Sequence, residues 1–155
     1  MAIAKKEPSQ NIVIKYHGPY VEKIQFIDGA NWIDLRAAED VNMLANSFAF
    51  INLGVSMKLP DGYEAHLVPR SSTYKKYGIL QVNGMGIIDN TYCGDMDIWM
   101  MPVYATRATY IPRNDRICQF RIMKIQPPVT FTEVEFMEDK SRGGFGSTGT
   151  NEIKK

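Results

Sequence analysis

The sequence predicts an all-β chain: a single-domain β-sandwich or jelly roll with one short helix and a flexible C-terminal arm. Three observations carry that expectation. Short apolar runs with strand character recur at close intervals, and turn chemistry closes each of them. Helical periodicity is almost absent. The chain has 155 residues, the length of one domain and enough to bury a sizeable core.

Taken in order, Ile12, Ile14 and Tyr16 alternate with Val13 and Lys15, the period-two pattern of a half-buried strand. Phe48-Ala49-Phe50-Ile51 leads into Gly54-Val55-Ser56-Met57, which continues as strand. Leu59-Pro60-Asp61-Gly62 is a turn, with proline presetting φ and glycine accepting a positive one. Glu64-Ala65-His66-Leu67-Val68 reads as the next strand, and the one helix is expected at about Ser72 to Tyr77. Ile98-Trp99-Met100-Met101 is a dense apolar run expected to be buried strand. Ile111-Pro112-Arg113-Asn114-Asp115 turns the chain into a strand from Ile117 to Ile125, whose blurred alternation suits burial on both sides. No repeat or linker splits the chain. A core over 1–140 and a mobile arm over 141–155 are the expected divisions.

Composition removes several function classes. The hydrophobic fraction is 45% and the charged fraction 23%, as in an ordinary globule. A formal net charge of +1 gives no general affinity for nucleic acid, so any phosphate must be held by a few placed cations. Cys93 and Cys118 share no metal-ligand spacing with each other or with His17 and His66, and support no disulfide framework. No run is apolar enough for a signal peptide or a membrane span, so a reducing, cytoplasmic setting is expected, with no membrane partner.

The chemistry concentrates in a few segments. Gly144-Phe145-Gly146-Ser147-Thr148-Gly149 combines one aromatic ring, two hydroxyls and freely turning backbone. Such a segment can lay its ring on a base and its N–H groups around phosphate. Taken alone it reads rather as a Gly/Ser-rich tail, and the upstream motifs turn the reading to a mobile arm that orders over ligand. It formally satisfies the dinucleotide fingerprint G-x-G-x-x-G, but lacks the following helix and the acidic residue about 20 positions on that the fingerprint requires. No Gly-Lys-Ser/Thr is present for a P-loop. Upstream stand Asn31-Trp32-Ile33-Asp34-Leu35-Arg36-Ala37, Pro69-Arg70-Ser71-Ser72, Gly86-Ile87-Ile88-Asp89-Asn90-Thr91-Tyr92-Cys93-Gly94-Asp95 and Asp115-Arg116-Ile117-Cys118-Gln119-Phe120.

In this order and spacing the five segments resemble the motifs of the homotrimeric dUTPases, over roughly Ile24 to Gly149. That family has an all-β fold, so the resemblance and the strand pattern agree independently. The resemblance implies hydrolysis of dUTP to dUMP and pyrophosphate, with water attacking the α-phosphorus in line with the leaving pyrophosphate. Such chemistry needs an orienter for water, cations on phosphate oxygens and a dry, shaped site. It also implies a homotrimer whose active sites draw motifs from different subunits, and Mg²⁺ held mainly by the triphosphate and waters rather than by the protein.

Residue by residue, Asp89 matches the water-activating carboxylate, and the apolar pair before it suggests a positioned, partly desolvated base. Read alone, Asp-Asn is turn chemistry. Tyr92 matches the platform beneath the deoxyribose, where a flat ring leaves no space for a 2′-hydroxyl; by itself it is an ordinary strand tyrosine. Asn83 matches the base-reading position in a β-hairpin, and Asn-Gly is also a favoured hairpin turn. Arg70, Ser71 and Ser72 open the short helix. Ser71 matches the serine that hydrogen-bonds an α-phosphate or bridging oxygen. Ser72 stands where glycine is more usual, and Arg70 is expected to pair with Asp34, itself a candidate for outer-shell support of the ion. Helix N-capping by serine is compatible with these roles.

Gln119 matches the glutamine that donates to phosphate, and Asp115-Arg116 is expected to pin the turn before that strand. In the last motif Phe145 matches the base-stacking lid, and Gly146, Ser147 and Thr148 match phosphate contacts. Arg142 lies three residues before the aromatic, where the family has arginine five before, so it reaches the γ-phosphate by another path. Trp32 stands where the family usually has glycine. The shortened arm and Trp32 resemble phage and low-GC Gram-positive versions. Two rival readings follow. A dCTP deaminase shares the fold but needs a glutamate near the base, and none stands between Gly78 and Thr91. Some phage members bind and inactivate a repressor protein, a partner compatible with catalysis.

Overall fold

The structure, a computed structural model, describes residues 9–144. Eleven strands and one helix follow in chain order: β1 (Val13–Tyr16), β2 (Ile33–Arg36), β3 (Val41–Met43), β4 (Ser47–Asn52), β5 (Val55–Lys58), β6 (Tyr63–Pro69), α1 (Thr73–Tyr77), β7 (Ile79–Gln81), β8 (Gly86–Ile88), β9 (Met100–Ala105), β10 (Thr109–Ile111) and β11 (Arg116–Lys124). Every pairing is antiparallel. A four-stranded sheet runs β2-β11-β6-β8 and a three-stranded sheet β4-β9-β7, with β1-β5 and β3-β10 as smaller pairs. Leu35, Ala65, Leu67, Cys118 and Phe120 from the first sheet meet Ile51, Ile79, Met101 and Val103 from the second in one buried cluster. Trp99 stands edge-on to Phe120, with ring centroids 5.2 Å apart.

The alternation expected at the start of the chain is present: Ile14 and Tyr16 are half-buried, Val13 and Lys15 exposed. The apolar run Ile98 to Met101 is only half strand. β9 begins at Met100, while Trp99 exchanges backbone hydrogen bonds with Leu53 and Val55 as an isolated crossing. In β11 the blurred alternation has a different cause from the one expected. A register shift between Arg116 and Cys118 turns both Ile117 and Cys118 inward, and alternation then resumes at Gln119.

The helix is five residues long and ends at Gly78, whose φ of +65° a side chain would strain and whose added Cβ would sit 2.8 Å from the Arg107 side chain. Ser72 precedes it but makes no side-chain cap bond. Thr73 does the tying instead: its hydroxyl donates to Ile117 O at 2.7 Å and accepts from Arg70 N–H at 3.1 Å. The Ile79–Gly86 segment is not a two-stranded hairpin. β7 pairs with β9 and β8 with β6, so residues 82–85 carry the chain from one sheet to the other. The last strand ends at Lys124, and residues 126–144 are exposed and add no strand or helix.

Candidate active site

The third motif gathers at the exit of β8. Ile88 pairs with Ala65 of β6, and the next residue, Asp89, leaves the sheet. Asp89 then closes a tight turn: Thr91 donates to Asp89 Oδ1 from its N–H (2.7 Å) and from its hydroxyl (2.5 Å). These bonds hold the carboxyl below the usual carboxylate range, because they favour the ionised form. The expected desolvation is not seen in the single chain, where Asp89 is exposed. Tyr92 follows with its ring partly exposed and its hydroxyl donating to Ile98 O at 3.2 Å. That bond anchors the ring at its far end. Asp89, Tyr92, Phe50, Ile88, Ile98 and Met100 line an open pocket of about 460 Å³.

The second and fourth motifs gather at the other end of β6. Asp34 of β2 pairs in register with Gln119 of β11, which pairs with Val68 of β6. These residues share the outward face, since their neighbours Leu35, Cys118 and Leu67 are buried. Asp34 receives Arg70 Nε on one oxygen at 3.0 Å and Arg116 on the other at 3.1 Å. The expected Arg70–Asp34 pair is therefore present, and Arg116, expected at the turn, joins it. Gln119 Nε2 lies 3.4 Å from Pro69 O, a long contact that leaves its amide adjustable. Asp115 pins the turn to α1, accepting from Lys76 Nζ at 2.7 Å and from the Tyr77 hydroxyl. Both donors lower its pKa. Arg36, Arg70, Ser72, Lys76, Asp115 and Arg116 line a polar cavity of about 370 Å³. Ser71 lies exposed at its edge of the sheet, one residue beyond Arg70.

These two clusters do not meet within one chain. Asp89 continues the row of Glu64, whereas Arg70 and Ser71 follow the far end of β6. Six residues of extended strand separate the ends, about 20 Å at roughly 3.3 Å per residue. Asn83 sits exposed in the crossing segment between β7 and β8, and its Oδ1 accepts from Gln81 Nε2 at 3.0 Å. Sequence reasoning missed Gln81; a lone glutamine between Leu80 and Val82 was the one signal available. Arg142 lies exposed beyond the last strand. Phe145, Gly146, Ser147 and Thr148 lie outside the described residues. Among the described residues no group of three His, Cys, Asp or Glu is arranged to hold a metal ion, and no helix is long and apolar enough to cross a membrane.

The family described as dUTPase matches residues 29–149. The SPbeta prophage-derived deoxyuridine 5'-triphosphate nucleotidohydrolase YosS of Bacillus subtilis (strain 168) is 54% identical over 139 residues, covering 90% of this chain and 98% of that protein. Among solved structures, the dUTPase of Staphylococcus bacteriophage 80alpha with dUPNHPP superposes with a TM-score of 0.76 at 21% identity, over 90% of this chain and 99% of that one. It was described among phage dUTPases that control transfer of virulence genes by a proto-oncogenic G protein-like mechanism. The D-to-N mutant dUTPase of phage phi11 of S. aureus, described for its structural Mg(II) ion, superposes with a TM-score of 0.71 at 18% identity, over 83% of this chain and 99% of that one.

Proposed function

The chain belongs to the dUTPase family, and on that premise we propose that it hydrolyses dUTP to dUMP and pyrophosphate by in-line attack of water on the α-phosphorus. The observation that carries this reading is the pocket in which the Asp89 carboxylate stands beside the anchored Tyr92 ring. Asp89 takes the proton of the attacking water. Thr91 supports that role by keeping the carboxylate ionised and fixing one of its oxygens, which leaves the other for the water. Tyr92 lies flat under the deoxyribose, and Asn83 reads the base. Ser71 donates to an α-phosphate oxygen, with Ser72 and Gln119 contacting the remaining phosphate. Arg70, fixed by Asp34, lends its guanidinium to the same phosphates. Arg142, Phe145, Gly146, Ser147 and Thr148 form the arm, 141–155, that closes over the nucleotide.

The separation of the two clusters supports a homotrimer. A water base and an α-phosphate donor must both stand within about 3 Å of the reacting atoms, and one chain holds them about 20 Å apart. A second copy supplies the missing half. A face for such contact exists: Phe48, Phe50, Leu80, Met100 and Tyr104 are exposed together on the outer side of the β4-β9-β7 sheet, with Leu80 and Phe48 flanking Tyr104 in register.

Mg²⁺ fits as an ion carried on the triphosphate. Both Asp34 oxygens already accept from arginines, so Asp34 offers support only through water. When bound, the ion neutralises phosphate charge as pyrophosphate leaves. A cytoplasmic setting, where dUTP is made and consumed, is part of the same reading. A repressor protein is one further partner we propose, which a pull-down competed with dUTP would test. The main reading is tested by pyrophosphate release from dUTP, dTTP, dCTP and UTP. Release from dUTP is expected, with UTP a poor substrate. Ammonia from dCTP would mark a deaminase instead.

A further inference from the structure

Asn83 does not set its own orientation. Gln81, two residues earlier, lies on the inner side of β7 and is only 9% exposed. Its Nε2 donates to Leu67 O in the facing sheet at 3.2 Å and to Asn83 Oδ1 at 3.0 Å. A backbone carbonyl can only accept. The Gln81 amide must therefore turn its nitrogen toward Leu67, and its second N–H then demands an oxygen from Asn83. Asn83 is left with its Nδ2 outward, a donor and nothing else. Gly86 makes room for this arrangement: an added Cβ would stand 3.2 Å from Leu67 Cβ and 3.5 Å from Gln81 Nε2. The Gln81 Oε1 is buried with no partner among the described residues. An amide kept in the core at that cost does something an apolar side chain cannot.

We infer that Gln81 is a specificity-determining positioning residue, which fixes Asn83 as a hydrogen-bond donor and thereby selects uracil over cytosine. The inference rests on the reading above in which Asn83 meets the base. Uracil presents an acceptor at O4, where cytosine presents the N4 amino donor. A donor locked outward bonds the first and opposes the second, and a buried donor left unpaired costs affinity. Were the Asn83 amide reversed, the preference would reverse with it.

The test measures dissociation constants of dUMP and dCMP by calorimetry, with kcat and KM for dUTP, in four variants of the full chain. Gln81→Met keeps the volume and removes both donors. It is expected to lower the dCMP-to-dUMP ratio of dissociation constants about tenfold, or about 1.4 kcal/mol. KM for dUTP should rise while kcat falls less than threefold. Asn83→Ala should lose the same discrimination, and Gln81→Met added to it should lose no more. Gln81→Glu is the second probe and does not depend on how well the methionine packs. A protonated glutamate donates its one O–H to Leu67 O and accepts from Asn83 Nδ2, so Asn83 turns its oxygen outward. Binding of dCMP should then tighten in absolute terms, which mere loss of packing would not do. If Gln81→Met keeps the ratio while Asn83→Ala loses it, the relay is overturned and the base contact stands. If Asn83→Ala also keeps it, both the relay and the base contact fall. Unchanged or weaker dCMP binding in Gln81→Glu overturns the inference as well.

Discussion

Thr91 donates twice to a single oxygen of Asp89, from its N–H and from its hydroxyl, at 2.7 and 2.5 Å. The pair forms its own turn, so the proposed base is positioned by one near neighbour in sequence rather than by burial. Replacing Asp89 by asparagine keeps the turn's acceptor and removes the charge. Asp89→Asn should fold normally by circular dichroism and lose about 10²- to 10⁴-fold in kcat. Near-normal turnover would show that another group activates the water.

The same bonds set a pH limb. The Asp89 carboxyl is held below its ordinary value of 3.8, with the Thr91 hydroxyl as the largest cause. A base works only when ionised, so the acid limb of kcat/KM should lie below the ordinary carboxylate value. Thr91→Val removes the hydroxyl and should move the limb upward, toward the ordinary value. A limb that stays in place would mean Thr91 does not tune the base.

How far the site was legible in the sequence depended on how local its geometry is. The Arg70–Asp34 pair followed from short motifs, because a strand and a strand end place its two members; the turn chemistry of Asp89 was legible in the same way, its exposure was not. The bulge at Ile117 was not legible, since two inward residues in a row read the same as a strand covered on both faces. Nor was the crossing at residues 82–85. Asn-Gly suits a tight hairpin, and only the pairing of β7 with β9 and β8 with β6 shows that the chain changes sheets there. Gln81 escaped for the same reason: its partner Leu67 is 14 residues away, in the opposite sheet.

In the proposed reading Tyr92 carries the sugar selectivity. Its hydroxyl donates to Ile98 O, a bond that holds the ring where a larger sugar would clash with it in that reading. UTP should be a poor substrate of the unaltered protein. Tyr92→Ala should narrow the dUTP-to-UTP ratio of kcat/KM, whereas Tyr92→Phe, which loses only the brace, should narrow it less. Equal use of both nucleotides by the unaltered protein would refute the platform role.

Asp115 links the fourth motif to α1 through Lys76 and Tyr77. Its folded pKa is lowered, with the Lys76 bond as the largest cause. Its contribution to stability is therefore full above the unfolded value near 3.8 and is lost as pH falls through the folded value. Asp115→Asn should cost about 1–2 kcal/mol in urea unfolding at neutral pH, and the difference should shrink in acid. An undiminished difference at pH 3 would assign the cost to the turn rather than to the charge.

The arm is tested at Phe145, the one aromatic residue after Phe136. Base–aromatic stacking is worth about 1–3 kcal/mol on alanine substitution, so Phe145→Ala should lower kcat/KM roughly 5- to 150-fold. Thermal stability should hardly change. Removing the chain from Ser141 onward should cost more, because Arg142, Ser147 and Thr148 go with it. Full activity of that shortened chain would leave the segment no role in catalysis.

The distance along β6 gives the most direct test of shared sites. Asp89, at the exit of β8, lies level with the start of β6, and Ser71 follows the end of that strand, so the proposed reaction requires each site to take one from each of two chains. Asp89→Asn and Ser71→Ala should each be nearly inactive alone. Unfolded together in equal amounts and refolded, they should regain activity. A site works only where the chain lending Asp89 is the serine variant and the chain lending Ser71 is the aspartate variant. With random assembly each condition holds in about half the cases, so about one quarter of the sites should be intact. Recovery near that fraction of the parent rate would place the two residues on different subunits. No recovery, from assemblies shown by light scattering to be mixed, would place both on one chain and remove the case for a shared site.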